Sequence, residues 1–223
     1  MRHVILSSLA IAALVTLTGC AAFGGGDGAP TAAEIASLAM VTPAAGESAE
    51  QKAAARSIED LGARAMAILG DASLTRDDRV ARFRDLIERE LDIPLIARFA
   101  LGRYWRAASD EQRQAYLAAF ARFIVRTYAS QLGGAGVTGF AVTRAQPAGS
   151  RDFLVFTRVS RSDGAPIDTA WRLRRRDGRY LIVDLVVEGV SMALTRRQEF
   201  AAFIRADGGD IDGLIARLKG SNT

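Results

Sequence analysis

The feature that most restricts the fold is a change in hydrophobic period near Gly136. Before this residue, apolar side chains recur every three or four residues, which predicts amphipathic helices. The clearest stripe follows a capping box formed by Ser109 and Gln112. After Gly136 apolar and polar residues alternate, which predicts strands over 138–146, 151–160, 167–176 and 179–187. Two more helical patterns end the chain, one from about Val190 to Ala206 and one from Asp210. We therefore expect an α+β fold with N-terminal helices, a four-stranded twisted antiparallel sheet and C-terminal helices.

The connections between the strands predict how they pair. Asp163-Gly164 and Asp177-Gly178 are typical of tight hairpin turns, so the last three strands should form an antiparallel meander. The segment from Tyr180 to Val187 is apolar at nearly every position. Such a run is typical of a strand covered on both faces, so we expect it to be central.

The scarcity of His and Cys excludes several kinds of chemistry. Among 223 residues there is one His, His3, and one Cys, Cys20, and both lie in the N-terminal segment. The folded part should therefore lack the ligands of most zinc and copper sites and the groups of Cys- or His-dependent catalysis. A formal net charge of +4 is too mild to indicate nucleic-acid binding. We expect a binding protein rather than an enzyme, with no cofactor.

The N-terminus has the pattern of a secretory signal peptide. Residues 1–19 combine a short basic start with an apolar run that is shorter than the roughly 20 residues of a transmembrane helix. Residues 20–48 are rich in Ala and Gly, which predicts a flexible tether. The folded domain is then expected to cover residues 49–220.

Cys20 is a candidate site of lipid attachment. The motif Leu17-Thr18-Gly19-Cys20 resembles the bacterial lipobox, in which the signal peptide is cut before the Cys and its sulfur carries diacylglycerol. Ordinary secretion with cleavage after Ala21 or Ala22 is the alternative. The lipobox reading predicts a periplasmic protein anchored to a membrane, and Ala21 mildly favours the outer membrane.

Five guanidinium groups cluster around one predicted hairpin. They belong to Arg172, Arg174, Arg175, Arg176 and Arg179. A solvated hairpin tip is the simplest interpretation, whereas contact with lipid head groups or with an acidic protein partner would also use such a cluster.

Several short segments share their order and spacing with one known family. They are Leu101-Gly102-Arg103-Tyr104-Trp105-Arg106, Glu111-Gln112-Arg113, Phe120, Arg126-Thr127-Tyr128-Ala129, Trp171-Arg172-Leu173, Glu188-Gly189-Val190-Ser191-Met192 and Ile211-Asp212-Gly213-Leu214. Together they resemble the MlaC-type (toluene-tolerance) periplasmic phospholipid-binding proteins from about Arg56 to Lys219.

The resemblance implies that helices and sheet enclose an apolar cavity for the acyl chains of a glycerophospholipid. It also implies partners, namely an ABC-transporter complex at the inner membrane and a lipoprotein–porin complex at the outer membrane, and a role in outer-membrane lipid asymmetry. From the predicted inward faces, the residues expected to line the cavity are Leu101, Tyr104, Phe120, Ile124, Tyr128, Trp171, Leu173, Val186, Val190 and Met192.

Three other functions are compatible with the sequence. The same cavity could carry another apolar lipid such as a hopanoid. An enzyme on a nuclear-transport-factor-like α+β cone could use Asp184 as its base, if that carboxylate pointed into the cavity with a raised pKa. A non-catalytic structural lipoprotein would have a pocket filled by its own aromatic side chains.

Overall fold

The structure, a computed structural model, describes residues 47–132, 136–162 and 164–220, without the side chains of residues 128–132. The predicted signal peptide (1–19), Cys20 and the tether up to residue 46 lie outside the described residues. No helix within the described ranges is long and apolar enough to cross a membrane.

Along the chain, helices both precede and follow the strands of the sheet. Those before it are α1 (Ala49–Gly70), α2 (Arg76–Glu90), α3 (Ile93–Leu101), α4 (Tyr104–Ala107) and α5 (Asp110–Leu132), and those after it are α6 (Met192–Ala206) and α7 (Ile211–Gly220). Except in α4, the first turns are fixed by side-chain caps, as the capping box at Ser109 and Gln112 illustrates with two bonds of 3.1 Å. The one-turn helix α4 was not predicted from the sequence.

The strands form one antiparallel sheet. They are β1 (Val137–Ala148), β2 (Asp152–Arg161), β3 (Ile167–Arg176), β4 (Arg179–Val187) and β5 (Val190–Ser191), in the spatial order β1-β2-β3-β4-β5. The predicted antiparallel meander is confirmed, and Asp177 and Gly178 take the positive φ values of 50° and 77° that their hairpin turn requires.

Two expectations about the sheet were wrong. The sheet has five strands rather than four, because a turn with positive φ at Glu188 and Gly189 brings Val190 back to pair with Val187. Helix α6 consequently begins at Met192 and not at Val190. Strand β4 is not central, since only the two residues of β5 lie beyond it.

The largest hydrophobic core lies among the helices. Tyr116 and Phe120 of α5 pack against Phe200 of α6 with ring centroids 6.4 and 6.1 Å away, and against each other at 5.7 Å, all within a favourable range for aromatic pairs. The buried Tyr116 hydroxyl donates to the backbone oxygen of Ala97 at 3.0 Å, which satisfies its polar atom. A second core joins α1 to the sheet through buried residues such as Ile58 and Val155.

The arginines of the β3–β4 hairpin are bound by the protein itself. Asp152, only 3% exposed, accepts from Arg172 at 2.8 Å and from Arg174 at 2.7 and 2.9 Å. The other bonds join Arg175 to Glu50, Arg176 to Asp92 and Arg179 to the backbone oxygen of Arg89, at 3.0 to 3.1 Å. These side chains therefore tie the hairpin to β2 and to the N-terminal helices.

Asp152→Asn is expected to lower the free energy of unfolding by about 2 kcal/mol, because it removes the charge from a buried acceptor of three hydrogen bonds. Asp168→Asn is the matched control. Asp168 also binds an arginine, Arg158, at 2.8 Å, but both side chains are more than half exposed, so the loss should stay below about 1 kcal/mol. Urea unfolding measures both, and equal losses would contradict this account.

The difference in stability between wild type and Asp152→Asn should also depend on pH. Burial alone would raise the pKa of Asp152, but the hydrogen bonds and charges of Arg174 and Arg172 hold it below its usual value. A carboxylate with a lowered pKa in the folded state contributes fully to the free energy of unfolding above its unfolded-state pKa of about 3.9. That contribution is lost as the pH falls through the folded-state pKa. The difference between wild type and Asp152→Asn should therefore shrink below about pH 4.

Candidate functional site

An apolar cavity lies between α1, α2 and one face of the sheet. It has a volume of about 160 Å³ and is partly open to solvent. The helices contribute Leu61, Gly62, Ala65, Met66, Leu69, Phe83, Leu86, Ile87, Ile96 and Ile124, and the sheet contributes Val137, Phe140, Val159, Trp171, Ile182 and Leu185. Met192, Ala193 and Arg196 at the start of α6 complete the wall together with Leu91 and two acidic residues.

The close contact of α1 with β1 defines one side of the cavity. Gly62 lies against the ring of Phe140, and a Cβ at position 62 would overlap that ring. The absence of a side chain at Gly62 therefore lets the helix approach the strand. Phe140 in turn packs on Trp171, with ring centroids 6.2 Å apart, and both rings line the cavity.

Polar atoms near the sheet side of the wall are paired with one another. The Trp171 Nε1–H donates to the Thr157 hydroxyl at 3.0 Å, and that hydroxyl also lies 2.6 Å from the Thr169 hydroxyl. Since the indole nitrogen is already bonded within the sheet, the rest of the ring presents carbon atoms to the cavity.

The two carboxylates on the wall are both engaged. Glu90 lies 2.9 Å from Arg64 of α1. Asp184 accepts from the Ser191 hydroxyl at 2.5 Å and from the Ala193 N–H at 2.9 Å, so both its oxygens hold the first turn of α6. Asp184 thus lines the cavity, as the enzyme hypothesis required, but its bonds give it a helix-capping role.

Candidate metal ligands do not cluster in the ranges that the structure describes. Within them no group of three or more His, Cys, Asp or Glu side chains could hold an ion.

Of the ten residues that the sequence predicts to bind lipid, the structure brings Ile124, Trp171 and Met192 together on the cavity wall. Six of the others lie elsewhere. Leu101 and Phe120 are buried in the helical core with Tyr104 packed against it, Leu173 is in the core between α1 and the sheet, Val186 pairs with Ser191, and Val190 is 41% exposed. The side chain of Tyr128 lies outside the described residues. A role in lipid binding stays a prediction for all ten.

Sequence reasoning missed the contribution of α1 and α2. Their apolar stripes were identified, but periodicity does not distinguish a face that fills a core from one that borders a cavity. One signal was present in the sequence. Gly62 and Ala65 are small residues on the apolar face of α1, and small side chains leave space beneath a helix.

Two known proteins are similar in sequence to about half of this chain. The chain is 26% identical over 125 residues to the intermembrane phospholipid transport system binding protein MlaC of Haemophilus influenzae, which is 54% of this chain and 58% of that protein. It is 25% identical over 113 residues to the toluene tolerance protein ttg2D of Pseudomonas putida, which is 51% of this chain and 53% of that protein. The chain thus spans little more than half the length of these relatives.

A solved structure and a family model cover more of the chain. The phospholipid-binding protein from Ralstonia solanacearum, solved in complex with a phospholipid, superposes with a TM-score of 0.63 at 25% identity, covering 74% of this chain and 94% of that one. The model of the MlaC protein family matches residues 59–220, which is most of the sequence and includes every residue of the cavity wall. The chain therefore belongs to the MlaC family.

Proposed function

We propose that this protein is a periplasmic phospholipid carrier. It holds acyl chains in the cavity between α1, α2 and the sheet and exchanges its lipid with an inner-membrane ABC-transporter complex and an outer-membrane lipoprotein–porin complex. Such exchange would serve outer-membrane lipid asymmetry. The observation that carries the proposal is a cavity whose wall is apolar apart from Glu90, Asp184 and Arg196.

The hydrophobic effect makes such a carrier necessary. Two acyl chains contain about 30 methylenes, and at ~0.8 kcal/mol each their transfer into water would cost on the order of 20 kcal/mol. A wall of aliphatic and aromatic side chains replaces the bilayer as the surroundings of the chains. Because this requires no bond to be made or broken, an apolar wall is sufficient for the task.

The cavity must widen to receive a diacyl lipid. Its volume of about 160 Å³ is below the roughly 300–1,000 Å³ of typical ligand sites. The wall contains side chains that adapt, notably Met66 and Met192, whose unbranched thioethers fit irregular spaces. We expect acyl chains to enter by displacing α1 and α2 from the sheet, since these helices cover one side of the cavity.

Phospholipid is expected to co-purify with the full chain, made with Cys20→Ala so that no detergent is needed. Ala65→Trp should abolish this, because the indole would occupy space that Ala65 leaves open on the cavity wall. Native mass spectrometry measures the bound lipid, and a hopanoid in place of a phospholipid would identify the alternative cargo.

Ala67→Trp is the matched control, since Ala67 lies on the same helix but is exposed. Overpacking costs typically about 1–3 kcal/mol, so circular dichroism should first show that the Ala65→Trp protein is folded. A wild-type protein without lipid, or a folded Ala65→Trp protein with undiminished lipid, would contradict the proposal.

We also propose that diacylglycerol on Cys20 anchors the protein to a membrane, the outer membrane being favoured. The proposal is supported by the lipobox-like motif that ends at Cys20. A coiled tether of about 30 residues reaches only about 30 Å, so an anchored copy would work at one membrane or within a bridging complex. Wild-type protein should fractionate with membranes and Cys20→Ala with the soluble periplasm; wild-type protein in the soluble fraction would refute the anchor.

A further inference from the structure

One basic side chain lies on the otherwise apolar or acidic wall of the cavity. Arg196, in the second turn of α6, is the sole cation among the described residues that line it. Its side chain is 24% exposed, so it lies where the wall meets solvent. The methylene groups of its side chain are apolar and can pack in the wall, whereas its charged guanidinium group requires hydrogen-bond acceptors.

The guanidinium of Arg196 is only partly satisfied. Its Nη1 donates to Glu199 at 2.5 Å, and the group lies over the ring of Phe123, 5.5 Å from the centroid. Its Nε is buried and has no hydrogen-bond partner in the part of the chain that the structure describes. Buried donors are nearly always paired, so an unpaired Nε beside a cavity is a candidate donor to a ligand.

Burial of an arginine Nε without a partner is not sufficient by itself to indicate a ligand. The Nε atoms of Arg79 and Arg161 are also buried without a partner among the described residues, but neither side chain lines the cavity. Only at Arg196 does the unpaired donor coincide with the cavity wall. The carboxylates of that wall do not offer a partner, because Glu90 is bound to Arg64 and Asp184 to the first turn of α6.

We propose that Arg196 binds the phosphate group of the cargo lipid. The Nε–H and a neighbouring Nη2–H form one edge of the guanidinium, and this edge matches two phosphate oxygens in a bidentate pair. Nη1 stays on Glu199, which together with Phe123 holds the group in place. The inference rests on the proposed function and makes it narrower, because the site selects a lipid with an anionic phosphate over an uncharged lipid of the same chains.

The test compares two fluorescent lipids with identical acyl chains, phosphatidylglycerol and diacylglycerol, titrated into the full chain. Arg196→Gln should weaken binding of phosphatidylglycerol about tenfold and change binding of diacylglycerol by less than about twofold. Arg197→Gln is the matched control. Arg197 is exposed on the same helix, stacks on Phe99 and does not line the cavity, so both affinities should stay at the wild-type value.

Arg196→Lys serves as a second variant that keeps the charge without the planar fork, and it should lose an intermediate part of the phosphatidylglycerol affinity only. Equal weakening of both lipids would overturn the inference, since it would mean that Arg196 only packs against Phe123. Unchanged binding of phosphatidylglycerol in Arg196→Gln would overturn it as well. If the wild-type protein bound neither lipid, the proposed function would fail and this inference with it.

Discussion

The close approach of α1 to β1 at Gly62 determines where the cavity lies. Without a side chain at this position the helix rests on the ring of Phe140, which itself packs on Trp171. On the N-terminal side of that contact, the core between α1 and the sheet is closed around Ile58 and Val155. From about Gly62 to its C-terminal end, α1 borders the cavity through residues such as Ala65 and Leu69. The first half of α1 therefore packs in a closed core, and its second half covers the cavity.

Most charged side chains in and around the cavity are paired with other groups of the protein. Asp184 and Glu90 reach the cavity, but each carboxylate has partners that stabilise its charge. The arginine cluster of the β3–β4 hairpin, which from the sequence alone was compatible with lipid or protein contacts, is bound to carboxylates such as Asp152 and to backbone oxygen. Its bonds hold the sheet to the N-terminal helices that cover the cavity. Arg196 differs, since its Nε is buried beside the cavity without a described partner.

Local pattern predicts the elements of this fold far better than the site. The alternation of apolar residues and the turn at Asp177-Gly178 correctly predict the four long strands, because strand period and positive φ are local properties. Strand β5 escapes prediction because two residues show no period, and it forms only through pairing with β4. For the cavity, Phe120 and Trp171 look alike in sequence. Packing with Tyr116 and Phe200 places the first in a solid core, and this depends on contacts between distant segments.

The central claim is that acyl chains lie between α1, α2 and the sheet rather than in the helical core. A phosphatidylglycerol with a photoreactive diazirine in the middle of one acyl chain tests it directly, since cross-linked peptides identify the neighbours of the chain. The account predicts labelling within residues 61–69 of α1 and 83–91 in and just after α2, where the wall residues cluster. Labelling confined to the α5–α6 core around Tyr116 and Phe200, or to the outer surface, would contradict it.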